Sequence, residues 1–199
     1  MALTFYVRES QTLDLLTQYA LPDLKRQQFI RIWDAGCATG PEPYSIAMTL
    51  RENIGQPQFR NVLIYATDLQ GSDPDSGTAK GIYPENALER IPRDLFSKYF
   101  TPNGKPGYFQ VNEELRRAVH FQRHDLLSLQ PVREDFGLVV CKNVLLHLAP
   151  TQRVDVIRMF HRALAKDGLL ILEQSDKLPS EAQHLFRRLT NAAQLYRKV

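Results

Sequence analysis

The chain has 199 residues, 43% of them hydrophobic, and a formal net charge of +3 at pH 7. This length suits one α/β domain with a substantial core, and the scattered basic residues predict no nucleic-acid partner. No apolar run approaches the roughly 20 residues that span a bilayer, and no signal peptide is recognised. We therefore expect a cytoplasmic protein without direct membrane insertion. Two distant cysteines form no disulfide framework, and no metal site is predicted.

Hydrophobic periodicity predicts strands that alternate with helices along the chain. Strands are predicted at 29–33, 61–66, 136–141, 169–172 and 194–197. Helices are predicted at 8–20, 43–54, 86–100 (interrupted near Pro92), 150–165 and 180–189. Short runs at 107–111 and 118–122 indicate a small antiparallel β excursion, a subdomain at 101–124 within a single domain that covers 1–199. The alternation predicts an α/β fold with a doubly wound, mostly parallel sheet and an antiparallel edge strand at the C-terminus.

The most informative segment is the turn WDAGCATG, which follows the first predicted strand. It carries Asp34 at the end of the strand, then Gly36 and Gly40 before a predicted helix. Because glycine has no Cβ, a ligand can approach the backbone of such a turn closely. A carboxylate at this point suits a ligand with a positive charge or hydroxyl groups, and S-adenosylmethionine carries both. The dinucleotide pattern G-x-G-x-x-G is absent, and a turn with a purely structural role is the alternative.

Polar residues follow each of the later predicted strands, where ligands bind in a doubly wound sheet. Asp68, after the second strand, can accept hydrogen bonds from both hydroxyls of a ribose. Asp125, followed by Leu126 and Leu127, has the arrangement expected around an adenine. The same aspartate could instead cap a helical turn. Lys142 follows the third strand.

Five segments together resemble the CheR-type chemoreceptor glutamate O-methyltransferases, which are class I S-adenosylmethionine-dependent enzymes. The order, the spacing and the E-P-Y-S signature carry the resemblance, which covers nearly the whole chain. The segments are TFYVRES (4–10), ATGPEPYSIA (38–47), ATDLQ with KGIYPENAL (66–70 and 80–88), RHDLLS (123–128), and CKNVLLHL running on to KDGLLILEQSD (141–148 and 166–176). The predicted small β excursion corresponds to the family's β subdomain.

The resemblance implies a Rossmann-like methyltransferase that binds S-adenosyl-L-methionine and methylates a glutamate carboxylate of a protein. Its substrate would be the cytoplasmic helices of a chemoreceptor or another acidic protein. Glu42 would neutralise the amino group of the cofactor, and Arg8 would lie near the transferring methyl and orient the acceptor carboxylate. The full set of residues implied to line the cofactor site is Thr4, Arg8, Glu42, Asp68, Asp125, Leu126, Cys141 and Lys142. The family residue at Asp125 is usually Asn, and both side chains accept a hydrogen bond from an amine.

Four departures from the family pattern concern the protein-substrate side. The similarity begins at the segment with Thr4, so the family's N-terminal helical subdomain is expected to be missing. His147 stands where the family has an aromatic residue beside the active-site arginine, and it is either a catalytic substitute or a core histidine. The segments GSDPDSG (71–77) and EQSD (173–176) replace a helical run and the pattern G-H-S-E. An alternative function is therefore a regulatory module that binds S-adenosylmethionine with weak or no transferase activity.

Overall fold

The structure is a computed structural model, and it describes residues 10–38, 40–69 and 80–199. Ten strands run through these residues. They are β1 (Ile30–Ala35), β2 (Val62–Asp68), β3 (Ile82–Pro84), β4 (Phe100–Pro102), β5 (Tyr108–Val111), β6 (Val119–Arg123), β7 (Phe136–Cys141), β8 (Leu164–Leu172), β9 (Phe186–Arg188) and β10 (Leu195–Lys198). The predicted alternation of strands and helices is therefore present, with strand boundaries that move by a few residues.

Seven of these strands form the main sheet, in the order β6-β2-β1-β7-β8-β10-β9. The strands from β6 to β8 are parallel to one another, whereas β10 is antiparallel to β8 and to β9. The predicted α/β class is confirmed, and so is the antiparallel C-terminal edge, which has two strands rather than one. Parallel pairing brings the carboxyl ends of β6, β2, β1, β7 and β8 to one edge of the sheet.

Helices cover the sheet and connect its strands. They are α1 (Ser10–Leu15), α2 (Leu21–Leu24), α3 (Pro41–Phe59), α4 (Arg93–Tyr99), α5 (Glu113–Ala118) and α6 (Pro150–Ala163), with a π-helical segment at Leu16–Ala20 between the first two. Gly55 interrupts α3 with a positive φ of 75°. At the start of α6, the Gln152 side chain accepts a hydrogen bond from the Ala149 amide at 2.9 Å, which satisfies one of the free N–H groups there.

The small antiparallel sheet has the order β3-β5-β4. Residues 118–122 were predicted to belong to this excursion, and that prediction is wrong. β6 lies in the main sheet instead, where it pairs in parallel with β2, for example Ala66 with Phe121. The third strand of the small sheet is β3, which precedes the predicted range. A short β-like run carries no information about its partner, because pairing is decided by distant parts of the chain.

The 180–189 helix prediction is also corrected. This segment forms a 3₁₀ helix at Ser180–Leu185 and then continues as β9.

Buried side chains fill both faces of the main sheet. Trp33 lies in one of these two layers, with its ring centroid 5.3 Å from that of Phe160 and 5.5 Å from that of Phe136. Among the described residues, no helix is both long and apolar enough to cross a membrane.

Candidate functional site

The glycine turn after β1 is tied to the end of β2 by three successive backbone amides. The Gly36 and Cys37 amides donate to the Thr67 carbonyl at 2.7 and 3.0 Å, and the Ala38 amide donates to Asp68 Oδ2 at 3.0 Å. Gly36 has a φ of +97°, in the left-handed region that glycine tolerates. The turn therefore positions the Asp68 carboxylate at the carboxyl edge of the sheet, where the sequence predicted it.

Helix α3 begins directly after this turn. Gly40 is its N-cap residue, with a φ of +87°, and Pro41 occupies the first turn, where its missing N–H costs nothing. Glu42 follows in the same turn and is half-buried. A carboxylate is favoured there by the partial positive charge of the helix N-terminus. The glycine turn and Glu42, both singled out in the sequence, thus lie at the same edge of the sheet as Asp68.

A cavity of about 120 Å³ opens beside this edge. Asp68 and Asp125 line it, together with Leu126 and Leu127, as the sequence predicted for an adenine site. Asp125 also accepts a hydrogen bond from the Leu127 amide at 2.9 Å, which caps the 3₁₀ turn at Leu126–Ser128. The two interpretations of Asp125 are therefore compatible, because a carboxylate has acceptor positions for more than one donor.

Further apolar residues of this cavity were missed by the sequence analysis. Val144 and Leu148 reach it from the segment after β7, and Leu69 reaches it from the end of β2. Leu69 and Leu127 are 53% and 41% exposed, although large apolar side chains are usually buried. In the sequence Val144, Leu148 and Leu69 are indistinguishable from core residues, and only their positions around the cavity mark them as lining a binding site.

Several carboxylates surround the two buried cysteines at this edge. Burial, and then the charges of Asp34, Asp68 and Glu42, raise the pKa of Cys37 far above its ordinary value. Burial likewise raises the pKa of Cys141, and the nearby carboxylates include Asp34 and Glu42 again. Asp34 itself is 1% exposed. Several carboxylates are therefore concentrated at this edge of the sheet, which favours a ligand that carries positive charge.

Taken together, these residues fit S-adenosylmethionine. Asp68 could accept hydrogen bonds from the hydroxyls of a ribose, and the cavity that it lines with Asp125 is mainly apolar. The carboxylates Asp34 and Glu42 could balance a positively charged methionine part. The close approach at Gly36 leaves no room for a side chain, because a Cβ there would lie 2.1 Å from Val144 Cγ2.

Comparison with known proteins agrees with this geometry. Residues 2–194 match the model of the CheR methyltransferase family, specifically its SAM-binding domain. The chain belongs to the CheR family.

Three relatives show how much of a CheR protein this chain represents. A chemotaxis protein methyltransferase of Borreliella burgdorferi is 33% identical over 88% of this chain and 64% of its own length. Chemotaxis protein methyltransferase 1 of Pseudomonas aeruginosa is 33% identical over 91% of this chain and 68% of its own length. The chemotaxis protein methyltransferase of Escherichia coli is 32% identical over 94% of this chain and 64% of its own length. The chain thus spans about two thirds of the length of these relatives.

Two residues expected after β7 have distinct surroundings in this CheR domain. Lys142 has a side chain only 9% exposed, with Nζ 3.8 Å from Glu173 Oε2, so the segments after β7 and β8 are in contact. His147 is exposed, in a 3₁₀ turn at Leu145–His147. The alternative of a core histidine is therefore wrong, whereas the catalytic role of His147 stays a prediction. Thr4 and Arg8 lie outside the described residues, as do residues 70–77 of the departing loop.

Both cysteines of the CheR domain are expected to resist alkylation. Iodoacetamide reacts with the thiolate, and burial among carboxylates disfavours that form for Cys37 and Cys141. At pH 8 the native protein should react on the order of a hundred times more slowly than the urea-unfolded chain. Mass spectrometry of tryptic peptides over time measures this for each cysteine separately. Native labelling of Cys37 at the unfolded rate would contradict the acidic, buried surroundings described above.

Proposed function

We propose that this CheR domain transfers the methyl group of S-adenosylmethionine to a glutamate side-chain carboxylate of a chemoreceptor in the cytoplasm. The observation that carries the proposal is the carboxyl edge of the sheet, where the glycine turn holds Asp68 beside an apolar cavity and among further carboxylates. The names of the relatives, which are chemotaxis protein methyltransferases, support a receptor as the acceptor.

In this proposal the residues of the chain position the reactants and do not move protons. Bound S-adenosylmethionine supplies a methyl group activated on a sulfonium. Asp68 accepts hydrogen bonds from the ribose, Asp125 accepts one from the adenine amine, and Glu42 balances the charge of the amino group. A glutamate acceptor is already ionised at pH 7, so no general base is required. The raised pKa values of Cys37 and Cys141 keep both thiols protonated, and neither competes as a nucleophile.

The direct test is methyl transfer from tritiated S-adenosylmethionine to membranes that contain chemoreceptors. We expect base-labile label on the receptor, because carboxyl methyl esters are hydrolysed at high pH and methylated amines are not. Membranes whose receptor has its acceptor glutamates changed to alanine are the control. Cofactor binding without transfer to any receptor would favour the regulatory module instead.

Arg8→Ala is expected to lower turnover by about tenfold or more while changing the affinity for S-adenosylhomocysteine less than twofold. The reason is that its proposed partner is the incoming carboxylate, which a guanidinium holds in a fixed plane. Steady-state transfer kinetics give the turnover number, and calorimetry gives the dissociation constant. Loss of affinity with unchanged turnover at saturation would make Arg8 a cofactor-binding residue.

A further inference from the structure

One carboxylate at the carboxyl edge has no part in the cofactor site proposed above. Asp176 lies four residues beyond the end of β8 and is 7% exposed. Its amide donates to the Glu173 carbonyl at 2.9 Å, which folds the segment back toward the sheet. Its Oδ2 atom is buried and has no hydrogen-bond partner in the described part of the chain. A buried acceptor without a donor is costly, so such a group commonly has a role other than packing.

The segments that carry His147 and Asp176 follow neighbouring strands of the main sheet. β7 and β8 are adjacent and parallel, with Cys141 opposite Leu172, so the segments that follow them leave the sheet together. The contact between Lys142 and Glu173 confirms that these segments touch.

The position of His147 is stabilised by Arg153 of α6. The Arg153 Nε and Nη2 atoms donate to the carbonyls of Leu148 and Leu146 at 3.0 and 3.3 Å. These two bonds hold the backbone on both sides of His147 and leave its imidazole exposed.

Electrostatics support a link between the two side chains. Burial raises the pKa of Asp176, and the charge of Glu173 adds to that effect, whereas Arg153 and His147 act in the opposite direction. Asp176 also faces the Cys141 thiol of β7, whose pKa it helps to raise. Of the two groups that lower the pKa of Asp176, Arg153 is bonded to the carbonyls of Leu148 and Leu146, whereas the side chain of His147 is exposed.

We propose that Asp176 is a positioning residue for the methyl-transfer reaction. In the complex with the acceptor, its free Oδ2 atom accepts a hydrogen bond from one ring nitrogen of His147 and so directs the other ring nitrogen toward the acceptor carboxylate. This inference rests on the proposed function, since it adds His147 to the residues that orient the acceptor carboxylate. It gives a role to two departures from the family pattern at once: the histidine in place of an aromatic residue, and the EQSD segment in place of G-H-S-E.

Transfer kinetics of Asp176→Asn, His147→Gln and the double variant test the pair. Asp176→Asn should lower turnover by about tenfold, the effect of one ordinary hydrogen bond, with less than a twofold change in the affinity for S-adenosylhomocysteine. The double variant should be no slower than His147→Gln alone, because the two residues act through one contact. Asp155→Asn, which changes an exposed carboxylate on α6, is the matched control. Additive losses of turnover in the double variant would overturn the pair. A large loss of cofactor affinity in Asp176→Asn would also overturn it and would assign Asp176 to the cofactor site.

Stability separates this role from a structural one. An acid whose pKa is raised on folding destabilises the native state once the pH exceeds its ordinary value of about 3.8. The midpoint of thermal unfolding of Asp176→Asn at pH 7 should therefore equal or exceed that of the original protein. A clear fall in the midpoint would show that Asp176 serves folding instead.

A readout without activity distinguishes failure of the pair from failure of the proposed function. Carbon-13 NMR of the Asp176 carboxyl group measures its pKa in the free protein. His147→Gln should raise this pKa further, because a group that favours the ionised carboxylate has been removed. An unchanged pKa would reject the pair even in an active enzyme, whereas the expected rise would support it even if no receptor were methylated.

Discussion

Gly36→Ala is expected to lower the free energy of unfolding by about 2–5 kcal/mol. Two costs add at this position. A φ of +97° is strained for any residue with a Cβ, and the new methyl would meet Val144 Cγ2 at 2.1 Å. Urea unfolding followed by circular dichroism measures the difference. Since Gly36 and Val144 both line the cavity, the affinity for S-adenosylhomocysteine should fall as well.

Gly104→Ala separates the two costs. Gly104 has a similar φ of +89°, but a Cβ there would have no atom within 4 Å. Gly104→Ala should therefore lower the free energy of unfolding only by the backbone strain, about 1–2 kcal/mol. Adding Val144→Ala to Gly36→Ala should recover part of the stability difference between Gly36→Ala and Gly104→Ala, because it removes the Val144 methyl group that the new Cβ would meet. Equal losses for Gly36→Ala and Gly104→Ala would mean that the approach of the turn to Val144 imposes no constraint.

Asp68→Ala is expected to weaken S-adenosylhomocysteine binding by about 1–3 kcal/mol, roughly 5- to 150-fold. The substitution removes the proposed acceptor for the ribose hydroxyls. It also removes the partner of the Ala38 amide, so the glycine turn loses one of its three bonds to the end of β2. Isothermal titration calorimetry at constant salt measures the effect.

Two further variants serve as a conservative change and as a matched control. Asp68→Asn keeps an acceptor for the Ala38 amide but lowers its strength, so it should lose less affinity than Asp68→Ala. Asp14→Ala, which changes an exposed carboxylate on α1, should bind as the unmodified protein does. Unchanged affinity in Asp68→Ala would reject the ribose assignment and leave Asp68 as a residue of the turn alone.

Placement of the site residues shows where local sequence is informative. Asp34 and Asp68 lie at the ends of strands with continuous apolar runs, and Gly36 directly follows one of them. Parallel pairing of those strands was enough to bring all three residues to one edge. The Asp125 segment reached the same edge for a different reason than predicted. It follows β6, which was assigned to the small antiparallel excursion but pairs in parallel with β2.

The sequence by itself determined five strands of the main sheet (β1, β2, β7, β8 and β10), the helices α3 and α6, and the glycine turn, because hydrophobic periodicity and turn chemistry depend on neighbouring residues. Only the tertiary structure decided that β6 joins the main sheet, that Val144 and Leu148 line the cavity, and that the buried Asp176 Oδ2 atom has no donor among the described residues. Each of these facts depends on contacts between residues far apart in the chain. A side chain's partners and its burial arise from such contacts, so local pattern does not predict them.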